Sequence, residues 1–168
     1  MKKILVLVAL AFGVHVNAQL QAELNIGFPT GDYTELYGFE AEFKFNYVLP
    51  IGDEVKLGPS IGGSMYVGKK YENMISTAIG IEDRYDPLFV FPVALSGQYT
   101  LSETVVFGLQ FGYGFIVSDI DETSGGFYYR PSIGYLLAEN IAIQLLYSNV
   151  NSNDANLSHF GLGFMISR

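Results

Sequence analysis

The sequence contains no cysteine. The chain therefore has no disulfide staple and no thiolate nucleophile, and its two histidines leave almost nothing from which to build a zinc site. Charge is scarce too: 15% of residues are charged, and the balance is −8. That acidity argues against a nucleic-acid partner and against a basic patch for anionic lipid. From Lys56 onward almost no 3.6-residue periodicity is found. Phosphate-loop and zinc-ligand spacings are absent. The acidic stretches IEDRYD (81–86) and SDIDET (118–123) lack the Gly-centred spacing of a calcium loop and read as solvated loop tips. No metal and no cofactor is expected.

Only one long apolar run is present. Ile4 to Val14 follows the basic Met1-Lys2-Lys3 and precedes the small-residue site Val16-Asn17-Ala18. The run is short for a membrane-spanning helix, and the three parts together read as a secretory signal peptide over residues 1–18. Its removal before Gln19 takes the formal charge from −8 to −10 and leaves one domain, 19–168. An exported domain of this size without disulfides must be held by burial or by a closed sheet.

What the mature chain does have is period two. In FEAEFKFNY (39–47), Phe39, Ala41, Phe43, Phe45 and Tyr47 share one face, against Glu40, Glu42, Lys44 and Asn46. In VFGLQFGYGFIV (106–117), Phe107, Leu109, Phe111, Tyr113, Phe115 and Val117 oppose Gly108, Gln110, Gly112 and Gly114. Strands are predicted at 19–28, 37–48, 54–68, 88–100, 104–117, 127–137, 140–149 and 156–167. Their number is even and most are long enough to cross a bilayer when tilted. The links alternate between tight turns (49–53, 101–103, 138–139) and longer polar loops (29–36, 69–87, 118–126, 150–155). This pattern predicts an all-β, eight-stranded antiparallel up-and-down transmembrane β-barrel with periplasmic turns, outside loops and outer-membrane localisation.

The three tight turns share a signature. Tyr47, Tyr99 and Tyr135 each open a Tyr-x-Leu step into the reversal, on the outward apolar face. A tyrosine there sits with its ring in lipid and its hydroxyl in water, so the three are predicted to form a periplasmic aromatic girdle. A soluble lipocalin-like barrel alternates in the same way with the faces inverted. The small residues of the other face (Gly58, Ser60, Gly62, Ser64, Gly108, Gly112, Gly114) suit a crowded interior better than a solvated surface.

The signal-like start, the eight strands, AELNIGFPTGDY (22–33) and the terminal HFGLGFMISR (159–168) together resemble the small outer-membrane barrels of the OmpA-like or OmpW-like group. The resemblance spans the mature chain, is architectural, and implies outer-membrane lipid and the barrel-assembly machinery as partners. Chains of that group end on an aromatic residue; here the last is Phe164, followed by Met-Ile-Ser-Arg. A monomer is the expected state.

By the alternation, the lumen receives Glu23, Glu40, Glu42, Lys44, Lys56 and Arg130, with Gln21, Asn25, Gln98, Gln110, Gln144 and His159. Three acids balance three bases. Buried charges persist only when paired, so a structural polar network is expected, with a narrow ion path as the alternative.

Enzymatic chemistry is not expected. LLYSNVN (145–151) is similar to the strand segment of the lipid A deacylase family, which carries His-x-Ser-Asn. Leu146 stands where that histidine belongs, and Ser148 has no base unless His159 replaces it. The expected work is structural or surface-binding. It would run through loops 69–87 and 118–126, the first carrying the apolar MISTAIGI (74–81) as a possible ligand surface.

Overall fold

The computed structural model of the chain describes residues 18–71, 83–117, 124–152 and 156–168. Residues 1–17 of the predicted signal segment, MISTAIGI and SDIDET lie outside the described residues, as does the start of IEDRYD.

The strands are β1 (Gln19–Gly31), β2 (Tyr37–Pro50), β3 (Val55–Gly68), β4 (Lys70–Tyr71), β5 (Asp83–Arg84), β6 (Leu88–Thr100), β7 (Val105–Val117), β8 (Ser124–Ala138), β9 (Ile141–Asn151) and β10 (Asn156–Ser167). Eight of them close into one barrel in the order β1-β10-β9-β8-β7-β6-β3-β2, with antiparallel pairing throughout. The short β4 and β5 pair only with each other, as Lys70↔Arg84 and Tyr71↔Asp83. They extend the β3–β6 hairpin beyond the barrel.

Closure follows from the alternation. Leu20, Leu24, Ile26 and Phe28 are exposed on the outside of β1, while Gln21, Glu23 and Asn25 between them are buried. The same split runs around the circumference, so the faces are those of a membrane barrel, not of an inverted soluble one. A 13-residue strand such as β1 runs about 40 Å at ~3.3 Å per residue. Tilted by about 40°, it covers about 30 Å of the barrel axis. At the seam, Leu20 and Arg168 exchange both backbone hydrogen bonds at 3.0 and 2.8 Å, leaving no edge there for lipid to meet.

The predicted boundaries hold to within three residues. The largest differences are at β1 and β8. Pro29-Thr30-Gly31 and Ser124-Gly125-Gly126 carry loop-like residues, yet Pro29 pairs with His159 and Gly126 with Gly114. A partner on one side, β10 for Pro29–Gly31 and β7 for Ser124–Gly126, keeps these residues in the strand beyond the point where the other neighbour's ladder ends.

Proline behaves in the same way. The β2–β3 ladder skips from Asn46↔Ser60 to Leu49↔Leu57 around Pro59. The β3–β6 ladder skips Pro92, and the β8–β9 ladder skips Pro131. Each proline lacks the N–H for one neighbour but stays paired to the other, as Pro59↔Leu95, Pro92↔Gly114 and Leu109↔Pro131. Gly112 is one of the positions where the wall packs closely. It lies opposite Ala94, and a Cβ there would run into the backbone of Val93 and Ala94.

Candidate functional site

The register of β1 builds the interior. Glu23 lies opposite Lys44, Asn25 opposite Glu42 and Gly27 opposite Glu40, all on the inner face. Arg130 reaches in from β8 and is 1% exposed. Its Nη2 donates to Glu23 Oε2 at 2.7 Å, and its Nε lies 3.5 Å from Glu42 Oε2. Gln144 also donates to Glu23 Oε2, at 2.7 Å, and Asn46 donates to Glu23 Oε1. Asn25 donates to Glu42 Oε2 at 2.9 Å. Lys44 lies 3.8 Å from Glu42 and donates to the Tyr128 hydroxyl. Nearer the tight turns, Gln21 and Gln98 exchange two amide hydrogen bonds, at 3.0 and 2.6 Å. Residues far apart in sequence are thus tied across the lumen, and Glu23 and Glu42 have their charge opposed by Arg130.

Five of the six charged residues predicted for the lumen lie in this interior. Lys56 is apart: it is half-buried at the tight-turn end and donates to Gln19 Oε1 at 2.8 Å. The predicted balance of three acids and three bases is therefore corrected. In the central cluster Lys44 and Arg130 face Glu23, Glu40 and Glu42. Parity alone assigns a face; it gives no height along the axis, and Lys56 lies at the rim.

Alternation also failed to show that the long-loop half of the lumen is apolar. Tyr37, Tyr66, Leu88, Val90, Ile116, Tyr128, Val150 and Leu157 pack there as a buried cluster. The signal was the breakdown of alternation at strand ends, as in LFVF (88–91), where both faces are apolar. Below this layer, a cavity of about 20 Å³ bordered by Glu23, Gln98, Gln110 and Gln144 has room for about one water.

Tyr47, Tyr99 and Tyr135 lie on the outer face at the tight-turn end, Tyr99 and Tyr135 exposed and Tyr47 half-buried. Tyr99 donates to Glu54 at 2.6 Å. Ser148 and His159 are cross-strand partners, but both point into the packed lumen, 4% and 1% exposed. No lipid substrate reaches them there, and His159 makes its hydrogen bond to Tyr66, at 2.7 Å from Nδ1.

Three of the five unsatisfied buried side-chain atoms among the described residues belong to Glu40 and His159. Both carboxylate oxygens of Glu40 and Nε2 of His159 are buried without a hydrogen-bond partner. Glu40 Oε2 and His159 Nε2 stand 3.5 Å apart, beyond good hydrogen-bond geometry. Between their strands runs Gly27, where a Cβ would strike both His159 and Glu40. The missing side chain is what lets the two groups face each other.

No family model matches the chain, and no curated protein is similar to it. Among solved structures, the barrel is similar to Ail, the attachment invasion locus protein of Yersinia pestis. The TM-score is 0.58 at 12% identity, covering 90% of this chain and 98% of that one. It is similar to the N-terminal β-barrel domain of Pseudomonas aeruginosa OprF, with TM-score 0.51, 12% identity, and 89% and 97% covered. It is also similar to Neisserial surface protein A, with TM-score 0.51, 12% identity, and 89% and 96% covered. The fold is thus that of the small eight-stranded outer-membrane barrels, the OmpA-like/OmpW-like group. At these identities the likeness speaks for the fold alone.

Proposed function

We propose that the chain is an outer-membrane barrel without catalytic activity that serves as a rigid, closed mount for surface-binding loops. The observation that carries this reading is the filled lumen. A polar network and an apolar layer stack along the axis, and the cavity beside the network has room for about one water. Eight strands enclose little more than their own side chains, so the fold offers no wide path to widen. Ser148 and its cross-strand neighbour His159 are both buried in the packed lumen, where a lipid substrate has no access to them.

With the interior occupied, the surface left for a ligand is the long-loop end. There the β4–β5 extension presents Tyr71 and Tyr85, exposed, with rings 4.8 Å apart. Exposed aromatic rings of this kind suit interface anchoring. The similarity to Ail, the attachment invasion locus protein, supports this reading. Signal-dependent export, insertion by the assembly machinery and a monomeric state complete the proposal.

Planar-bilayer recording tests it. The purified barrel is expected to give no discrete conductance steps up to moderate voltage. Regular single-channel steps that vanish on boiling would establish the ion-path alternative.

A further inference from the structure

We propose that Glu40, Glu42 and His159 form a buried binding site for a divalent first-row metal ion, of which Zn(II) is the probe of choice. One donor atom from each residue lies within 4.8 Å of the others, and all three residues are buried. Glu40 and Glu42 are two apart on β2 and so share the inner face. His159 comes from β10 on the far side of β1, across the gap left by Gly27.

Four observations point to a cation here and not to a simple ion pair. First, the 3.5 Å between Glu40 Oε2 and His159 Nε2 is long for a hydrogen bond. It is close to the ~3.4 Å that separates two ligands each about 2.1 Å from a tetrahedral ion. Second, the buried side-chain atoms without a hydrogen-bond partner include both Glu40 oxygens and His159 Nε2, which a metal can engage; Arg130 Nε and Asn149 Oδ1 are the others among the described residues. A buried carboxylate left without a partner is costly. Third, His159 Nδ1 is hydrogen-bonded to the Tyr66 hydroxyl at 2.7 Å. With the proton on Nδ1 donated to that oxygen, Nε2 presents its lone pair to the site, the arrangement by which an outer partner orients a ligating imidazole. Fourth, Glu42 Oε2 is occupied by Asn25 and Arg130, while Oε1 has only Lys44, at 3.8 Å.

One imidazole and two carboxylates suit zinc and its neighbours better than magnesium or calcium, which prefer oxygen alone. An ion would leave one surplus positive charge in the cluster. Lys44 is placed to carry it, against the hydroxyl and ring of Tyr128. A proton on Glu40 is the competing occupant: it brings the cluster to neutrality and can donate to His159 Nε2, but across 3.5 Å, longer than a good hydrogen bond. The apolar layer covers the long-loop end, so the ion is taken up as the barrel closes.

The test is refolding of the full barrel into detergent with equimolar Zn(II), removal of loose metal by chelator, and measurement of zinc per chain. X-ray absorption at the zinc edge then reports the ligands. One zinc per folded chain, with a spectrum of one imidazole and oxygen donors, is expected. Glu40→Gln and His159→Gln are expected to lose the ion. Tyr66→Phe, which removes only the orienting hydroxyl, is expected to weaken affinity by about 10–100-fold. Folding of each variant is read separately, by its gel shift on boiling, so a variant that fails to fold is set aside and the others decide. Wild-type barrel that folds but retains no zinc would overturn the proposal and leave the proton as the occupant. Equal retention by folded Glu40→Gln and His159→Gln would also overturn it, placing the metal elsewhere.

Discussion

Arg130→Ala is expected to lower the unfolding free energy of the barrel by about 3–5 kcal/mol. The size of the effect comes from what remains. Arg130 is 1% exposed, donates to Glu23 at 2.7 Å and lies 3.5 Å from Glu42. Truncation leaves two buried carboxylates facing each other with only Lys44 near them. Glu23 keeps its amide donors Gln144 and Asn46, but amides do not neutralise a charge. The cavity left by the side chain adds to the loss. Lys56→Ala is the control from the same predicted set. It is half-buried at the rim with one amide partner, and its loss should cost under about 1 kcal/mol, like a surface contact. Urea unfolding in lipid vesicles measures both. An unchanged midpoint for Arg130→Ala would remove the central role given to this residue.

Leu24→Arg is the second large effect, expected to cost about 2–4 kcal/mol in a bilayer. Leu24 is 68% exposed on the outer face, near the middle of β1 between Phe43 and Phe164. On a water-soluble protein such a change would be nearly neutral, since an exposed leucine gains little from its surroundings. In a membrane barrel the same position faces hydrocarbon. The sign and size of this one substitution therefore report which solvent surrounds the outer face. A stability change within about 0.5 kcal/mol would place water there.

Much of the fold was legible because the side-chain period of a strand is two. Once FEAEFKFNY puts its five apolar residues on one face, parity assigns every inner residue of β2. The cross-barrel partners then depend only on register, and the Gly-Gly and Pro positions at β1 and β8 were the main places where local preference lost to pairing with a single neighbouring strand. Less visible was the height of each residue along the axis. Lys56 has the right parity and the wrong level. Leu88 and Val90 look like part of an apolar strand and turn out to line the lumen.

The encounter of Glu40 with His159 was the least legible feature. The residues lie on β2 and β10, which do not pair with each other, and meet because β1 between them carries Gly27. Counting two histidines and no cysteine argued against a metal site. What carries the opposite inference is three-dimensional: unpartnered buried atoms at ligand spacing. The Tyr66 hydroxyl behind the imidazole had no sequence signal beyond its parity on β3.

The central claim is a closed barrel whose apolar face lies in the outer membrane. The most direct measurement is the gel mobility of the outer-membrane fraction in cold detergent, unboiled against boiled. A closed barrel stays folded until heated, so the account predicts a fast-migrating band that shifts to the position of the unfolded chain on boiling. Protein recovered in the soluble fraction without detergent, with one mobility before and after boiling, would contradict it.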